Sequence, residues 1–129
     1  MALAQGLAAL GRSDEGSVLI DQSIQQVEVS GELFYLPELL RVKAGLLLST
    51  TEPDPRGAET CLNESLDLSR QQGARSWELR TATDFAKLLA DRGDSEIGRM
   101  LLESVYRGFT EGFETADLKA AEGRLATLN

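Results

Sequence analysis

The chain has 129 residues, 42% of them apolar and 26% charged, with 13 basic and 21 acidic side chains and a formal net charge of −8. That length suits a single domain with its own core, and a deficit of Lys and Arg disfavours nucleic acid, whose phosphates demand a surplus. The absence of histidine excludes every His-based triad, general base or metal site, while the lone Cys61 excludes an intramolecular disulfide and a thiolate cluster.

Cys61 reads as a buried free thiol. No apolar run approaches the ~18 residues of a membrane span, and Met1-Ala2-Leu3-Ala4 lacks the basic region of a secretion signal. A cytoplasmic protein without a membrane partner is expected.

Apolar residues recur at helical spacing from end to end, and no five-residue stretch alternates as a half-buried strand does. The opening segment, with Leu3, Ala4, Leu7, Ala8 and Leu10, is apolar almost all round. Residues 14–30 carry Val18, Ile20, Ile24 and Val27 and stop at Gly31. Residues 33–49 form the next helix, with Leu36, Leu39, Leu40, Val42, Leu46 and Leu47. A loop at 51–57 follows, in which Asp54 is placed to cap a helix over 55–72 with Pro55 in its first turn. That helix stops at Gly73. Another runs over 75–92 and stops at Gly93. Asp94 is placed to cap a helix over 95–107, and Thr115 one over 116–128. Glycine after three of these helices supplies the left-handed residue of a C-terminal cap.

The chain also aligns with itself. Ala4, Ala44 and Ala86 fall at separations of 40 and 42, and Tyr35/Trp77, Leu46/Leu88 and Leu47/Leu89 share the 42. In the alternate helices Ile20, Leu62 and Leu102 are separated by 42 and 40, as are Ile24, Leu66 and Tyr106, and Gly31/Gly73 again by 42. A helix pair repeated at a period near forty predicts an all-α fold. The expected architecture is a right-handed α-solenoid of about three antiparallel hairpins, at 1–31, 32–73 and 74–108, with a capping helix at 115–128. In that cap Leu118, Ala121, Leu125 and Leu128 fall on one side. Leu7 and its neighbours would form an unfinished N-terminal edge, belonging to a longer solenoid or satisfied by a second copy in a two-fold contact, the alternative being a short first helix folded back on its own hairpin in a monomeric adaptor.

Three strings carry a resemblance: Glu38-Leu39-Leu40-Arg41-Val42-Lys43-Ala44-Gly45-Leu46-Leu47-Leu48, Gln72-Gly73-Ala74-Arg75-Ser76-Trp77-Glu78-Leu79-Arg80, and Val105 through Leu118. The chain resembles tetratricopeptide-like helical hairpins. More narrowly, it is similar to the C-terminal repeats of large bacterial ATPase and adenylate/guanylate-cyclase-type regulatory proteins. The period exceeds the usual 34 residues. The small residue usual at the start of each second helix is not evident, Gly98 being the nearest match. The resemblance implies a scaffold without catalysis, whose ATPase or cyclase domains would lie upstream.

No constellation of residues argues for an enzyme. Glu64/Asp67, Asp84/Asp91 and Glu111/Glu114 read as solvated helix faces, since none has a neighbour that would split the two carboxyls into acid and base. Arg80 with Asp84, Lys87 with Asp91 and Glu103 with Arg107 stand in helical ion-pair register. Neither GxxxxGK[ST] nor GxGxxG occurs, and no cofactor is expected. Tyr35 and Trp77 read as core wedges between hairpins, and Gly108 through Phe113 as a turn whose phenylalanines pin the last helix. Two functions remain. One is a protein-interaction scaffold that binds a protein or peptide, or upstream domains of its own polypeptide, with Glu38, Arg41, Arg80, Asp84 and Lys87 as the polar positions of its concave face. The other is a structural spacer or homodimerisation module with no separate ligand.

Overall fold

The computed structural model describes residues 13–31, 33–109 and 115–128, and every element among them is helical. In chain order these are α1 (Ser13–Ser30), a 3₁₀ turn (Leu33–Tyr35), α2 (Leu36–Leu48), α3 (Pro55–Gln72), α4 (Arg75–Asp91), α5 (Ser95–Tyr106) and α6 (Ala116–Thr127). The opening segment, with the N-terminal edge expected at Leu7, lies outside the described residues, as does the stretch from Thr110 to Glu114. The chain divides into two compact units, residues 1–68 and 69–129, and the division falls within α3.

In the first unit α1 packs on α2 around Ile20, Leu39, Val42 and Leu46, with Leu19, Ile24 and Val27 against them. The Lys43 ammonium holds the Asp21 carboxylate at 2.9 Å. Asp21 and Lys43 lie equally far from residue 32, as an antiparallel pair requires. The bond to Asp21 raises the Lys43 pKa. The loop after α2 turns where the Asp54 amide donates to the Leu47 carbonyl at 2.9 Å, and Asp54 caps α3 as expected, its Oδ1 accepting from the Gly57 amide at 3.0 Å. Further along α3 the buried Ser65 hydroxyl donates to the Pro37 carbonyl at 2.7 Å. Cys61 is buried, and burial pushes its thiol pKa up, so it stays protonated and a poor nucleophile.

The second unit is built on α4, which packs on both α5 and α6. A Cβ on Gly98 would stand 2.9 Å from the Ala86 carbonyl oxygen and 3.2 Å from its Cα, so the α4 and α5 backbones meet at this point. Ala86 and Gly98 are each six residues from Arg92, the register of a tight antiparallel hairpin. α6 is held by Leu118, Ala121 and Leu128, all buried, with Leu125 half-buried, which is the inward face expected of it. Polar contacts add to this: Arg80 Nε donates to Asp117 Oδ1 at 2.9 Å, and the Tyr106 hydroxyl to Glu122 Oε1 at 2.5 Å. The Thr115 side chain accepts from the Leu118 amide and caps α6.

The internal repeat corresponds to burial. Ile20, Leu62 and Leu102 are 0%, 1% and 0% exposed, and Ala44 and Ala86 are 1% and 0% exposed. Gly31, Gly73 and Gly93 all take positive φ, at 77°, 68° and 94°, and end their helices as expected. After α3 and α4 the carbonyls of Ser69 and Leu89 accept from the amides of Ala74 and Asp94, five residues on.

Four expectations need correction. The helix expected over 33–49 begins as a 3₁₀ turn, because Pro37 has no N–H to donate to the Leu33 carbonyl and the α-helical ladder cannot extend past it. Tyr35 is therefore not a core wedge: it lies outside α2 and is 61% exposed. Trp77, its counterpart, is half-buried in the first turn of α4. Asp94 makes no side-chain cap to α5; its Oδ2 accepts from Arg92 Nε at 2.9 Å instead. Finally, small residues do recur at the start of the second helices. Gly16, Ala58 and Gly98 are separated by 42 and 40 residues, and all three are buried.

Candidate functional site

α1 carries no basic residue, and Leu19, Ile20, Ile24 and Val27 reach inward from it. Ser23, Gln26 and Val27 stand at helical spacing on one side of it. Tyr35, Glu38 and Leu39 repeat the same spacing across the turn at Gly31. These six side chains line a groove of about 360 Å³ in the first unit, within the size range of ligand-binding clefts. Val27, Leu39 and the Tyr35 ring make its apolar surface, and Ser23, Gln26 and Glu38 its polar part.

The chain around the turn at Gly31 carries exposed apolar side chains. Val29, Leu33, Phe34 and Tyr35 fall within seven residues of sequence and are 83%, 41%, 60% and 61% exposed. The Phe34 and Tyr35 rings meet edge to face, with centroids 5.1 Å apart, a favourable aromatic arrangement. That contact sets the Phe34 ring against Tyr35, which lines the groove. Large apolar side chains in contact at an exposed place, as Phe34 and Tyr35 are, mark an interaction surface more often than those scattered singly.

Of the five polar positions expected on a concave face, Glu38 and Arg41 belong to the first unit and are joined, Arg41 Nε donating to Glu38 Oε1 at 2.5 Å. Only Glu38 lines the groove. Arg80, Asp84 and Lys87 belong to the second unit, on α4. There Arg80 is engaged by Asp117 of α6 and Lys87 by Asp91 at 3.0 Å, and all three positions lie on one helix. The Glu103–Arg107 pair also forms, at 3.4 Å. Phe34, Ser23 and Gln26 were not among the expected site residues. The signal for Phe34 in the sequence was the run Leu33-Phe34-Tyr35-Leu36 ahead of Pro37, four consecutive apolar residues that no single helix face can bury together, whereas Ser23 and Gln26 had none.

Among the described residues no group of three His, Cys, Asp or Glu side chains is arranged to hold a metal ion, and no helix is long and apolar enough to cross a membrane. No family model matches the chain, and neither a curated protein nor a solved structure is significantly similar to it.

Proposed function

We propose that the chain is a protein-interaction scaffold of the tetratricopeptide-like solenoid class, serving as the C-terminal repeat segment of a larger bacterial signalling or regulatory protein in the cytoplasm. The observation that carries this reading is the groove between α1 and α2 lined by the exposed Tyr35, whose ring meets that of the exposed Phe34. Aromatic anchors beside a preformed apolar cleft are the usual centre of a protein–protein contact. The solenoid part is supported by the repeat of 40 and 42 residues, in which the equivalent positions Ile20, Leu62 and Leu102, and Ala44 and Ala86, are all buried. Short helix pairs of this kind bury their apolar faces against neighbouring pairs. The scaffold reading takes no catalytic role for any residue.

A photo-crosslinking side chain placed at Phe34, in the full chain and in the cells that make it, tests the reading. The same group at Asn63, exposed on α3, is the control. A discrete adduct with a second, different protein is expected from position 34 and not from 63, and it should fade when Tyr35→Ala is added. An adduct only with another copy of the chain would favour the homodimerisation module. No adduct at position 34 would contradict a binding groove.

A further inference from the structure

α5 turns one face away from the second unit. Glu96, Ile97, Met100, Ser104 and Arg107 are all exposed and fall within about 100° of one another around the helix axis. Gly98, Leu102 and Val105 are buried on the opposite side. Ile97 and Met100, three residues apart and so neighbours on the helix surface, are 57% and 61% exposed. The repeat does not account for them, because forty residues earlier the corresponding positions of α3 are Gly57 and Thr60. Large apolar side chains facing water at neighbouring positions mark a surface for another protein chain.

Charge along this face runs from negative to positive. Glu96 lies in the first turn of α5 and makes no ion pair among the described residues. At the other end Glu103 accepts from Arg99 at 3.2 Å and from Arg107 at 3.4 Å, so two guanidinium groups share one carboxylate and a positive charge is left over. The Arg107 side chain is 77% exposed, and its bond to Glu103 uses one of five N–H donors. Glu96 and Arg107 are eleven residues apart, which places them about 20° apart around the axis and about 16 Å along it. They occupy one edge of the face, Ile97 and Ser104 the other, and Met100 lies between. Residues 95–107 hold two acids and two bases, a neutral stretch in a chain of −8.

We infer that α5 pairs with α5 of a second copy, the two helices antiparallel about a two-fold axis level with residues 101 and 102. That register sets Glu96 of each copy against Arg107 of the other. It also brings the two Met100 side chains together at the axis and lays Ile97 of each copy beside Ser104 of the other. A face complementary to itself is what a two-fold contact requires, and antiparallel order places the positive end of each helix dipole by the negative end of its neighbour. A uniformly acidic or basic partner fits less well, since it would match one end of the face and be repelled at the other. The contact uses no residue of the α1–α2 groove, so it goes beyond the scaffold reading and does not depend on it. One helix per copy buries less than the ~1,200 Å² of a stable interface, so the dimer is weak and forms only at high concentration.

The test is sedimentation equilibrium of the full chain up to about 1 mM, the range in which a contact of that size is populated. A monomer–dimer equilibrium is expected. Met100→Glu should weaken it about tenfold or more, because an unpaired charge then sits at the axis. Glu96→Arg and Arg107→Glu should each weaken it about tenfold or more, because each sets like charges against one another. Mixed in equal amounts, these two reversed variants should associate with each other about as well as the parent chain does with itself, since each supplies the charge that the other has lost. Circular dichroism should show every variant folded, because the side chains are exposed.

A monomer at every concentration would overturn the inference. So would a dimer unmoved by Met100→Glu, which would place the self-contact elsewhere on the chain. Reversed variants that dimerise like the parent, or that fail to associate when mixed, would overturn the antiparallel register and the pairing built on it. None of these outcomes alters the crosslink expected at position 34.

Discussion

Leu102→Ala is expected to destabilise the chain by about 2–5 kcal/mol, the range for emptying a well-packed leucine site. Leu102 is 0% exposed and stands at the repeat position shared with Ile20 and Leu62, themselves 0% and 1% exposed. A small domain has only about 5–15 kcal/mol in all, so the variant would lose a large share of it. Met100→Ala supplies the comparison: it lies two residues away on the same helix and is 61% exposed. A surface change of that kind stays within about 0.5 kcal/mol. Urea titrations of both variants read the difference directly. Similar midpoints would mean that the repeat positions do not form the core.

A second pair of substitutions should differ in sign although the chemical change is the same. Gly98→Ala places a Cβ 2.9 Å from the Ala86 carbonyl oxygen, a backbone atom that cannot yield unless α4 and α5 move apart. Overpacking of this kind costs about 1–3 kcal/mol, which outweighs the gain of up to about 1 kcal/mol from replacing a helical glycine by alanine. Gly123→Ala in α6 meets nothing within 4 Å, so the helical gain is all that remains. The first variant should melt below the parent chain and the second above it. Stabilisation of both would show that the α4–α5 crossing is looser than the backbone approach at Ala86 requires.

These outcomes bear on how much of the molecule the sequence discloses. Periodicity and punctuation were legible. Ile20, Leu62 and Leu102 align at the repeat separations because each is the inward residue of an equivalent helix, and Gly31, Gly73 and Gly93 stand where a chain leaving a helix needs positive φ. The cap at Asp54 and the Lys87–Asp91 pair were legible for the same reason, since both are contacts within four residues. The start of α2 was misjudged because helical spacing is continuous through Leu33 to Leu36, whereas Pro37 removes the one backbone donor that would have made it a helix there. Tyr35 was carried outward by that change, and the groove's aromatic rim with it. The bond from Arg80 to Asp117 was not legible either: it spans 37 residues and follows from how α6 packs on α4, which spacing along one helix does not reveal. Of the six side chains that line the groove, Glu38 stood out in the sequence for its place on α2, whereas Ser23, Gln26 and Val27 came together with it only in the fold.

The most direct test of the binding groove is a map of backbone amide chemical shifts in the full chain while the protein captured by the crosslink at position 34 is added. The account predicts the largest changes at Ser23, Gln26 and Val27 on α1 and from Phe34 to Leu39 across the turn, with α5 and α6 nearly unmoved. Changes concentrated on α5 and α6, or spread evenly over every acidic surface of the chain, would contradict it.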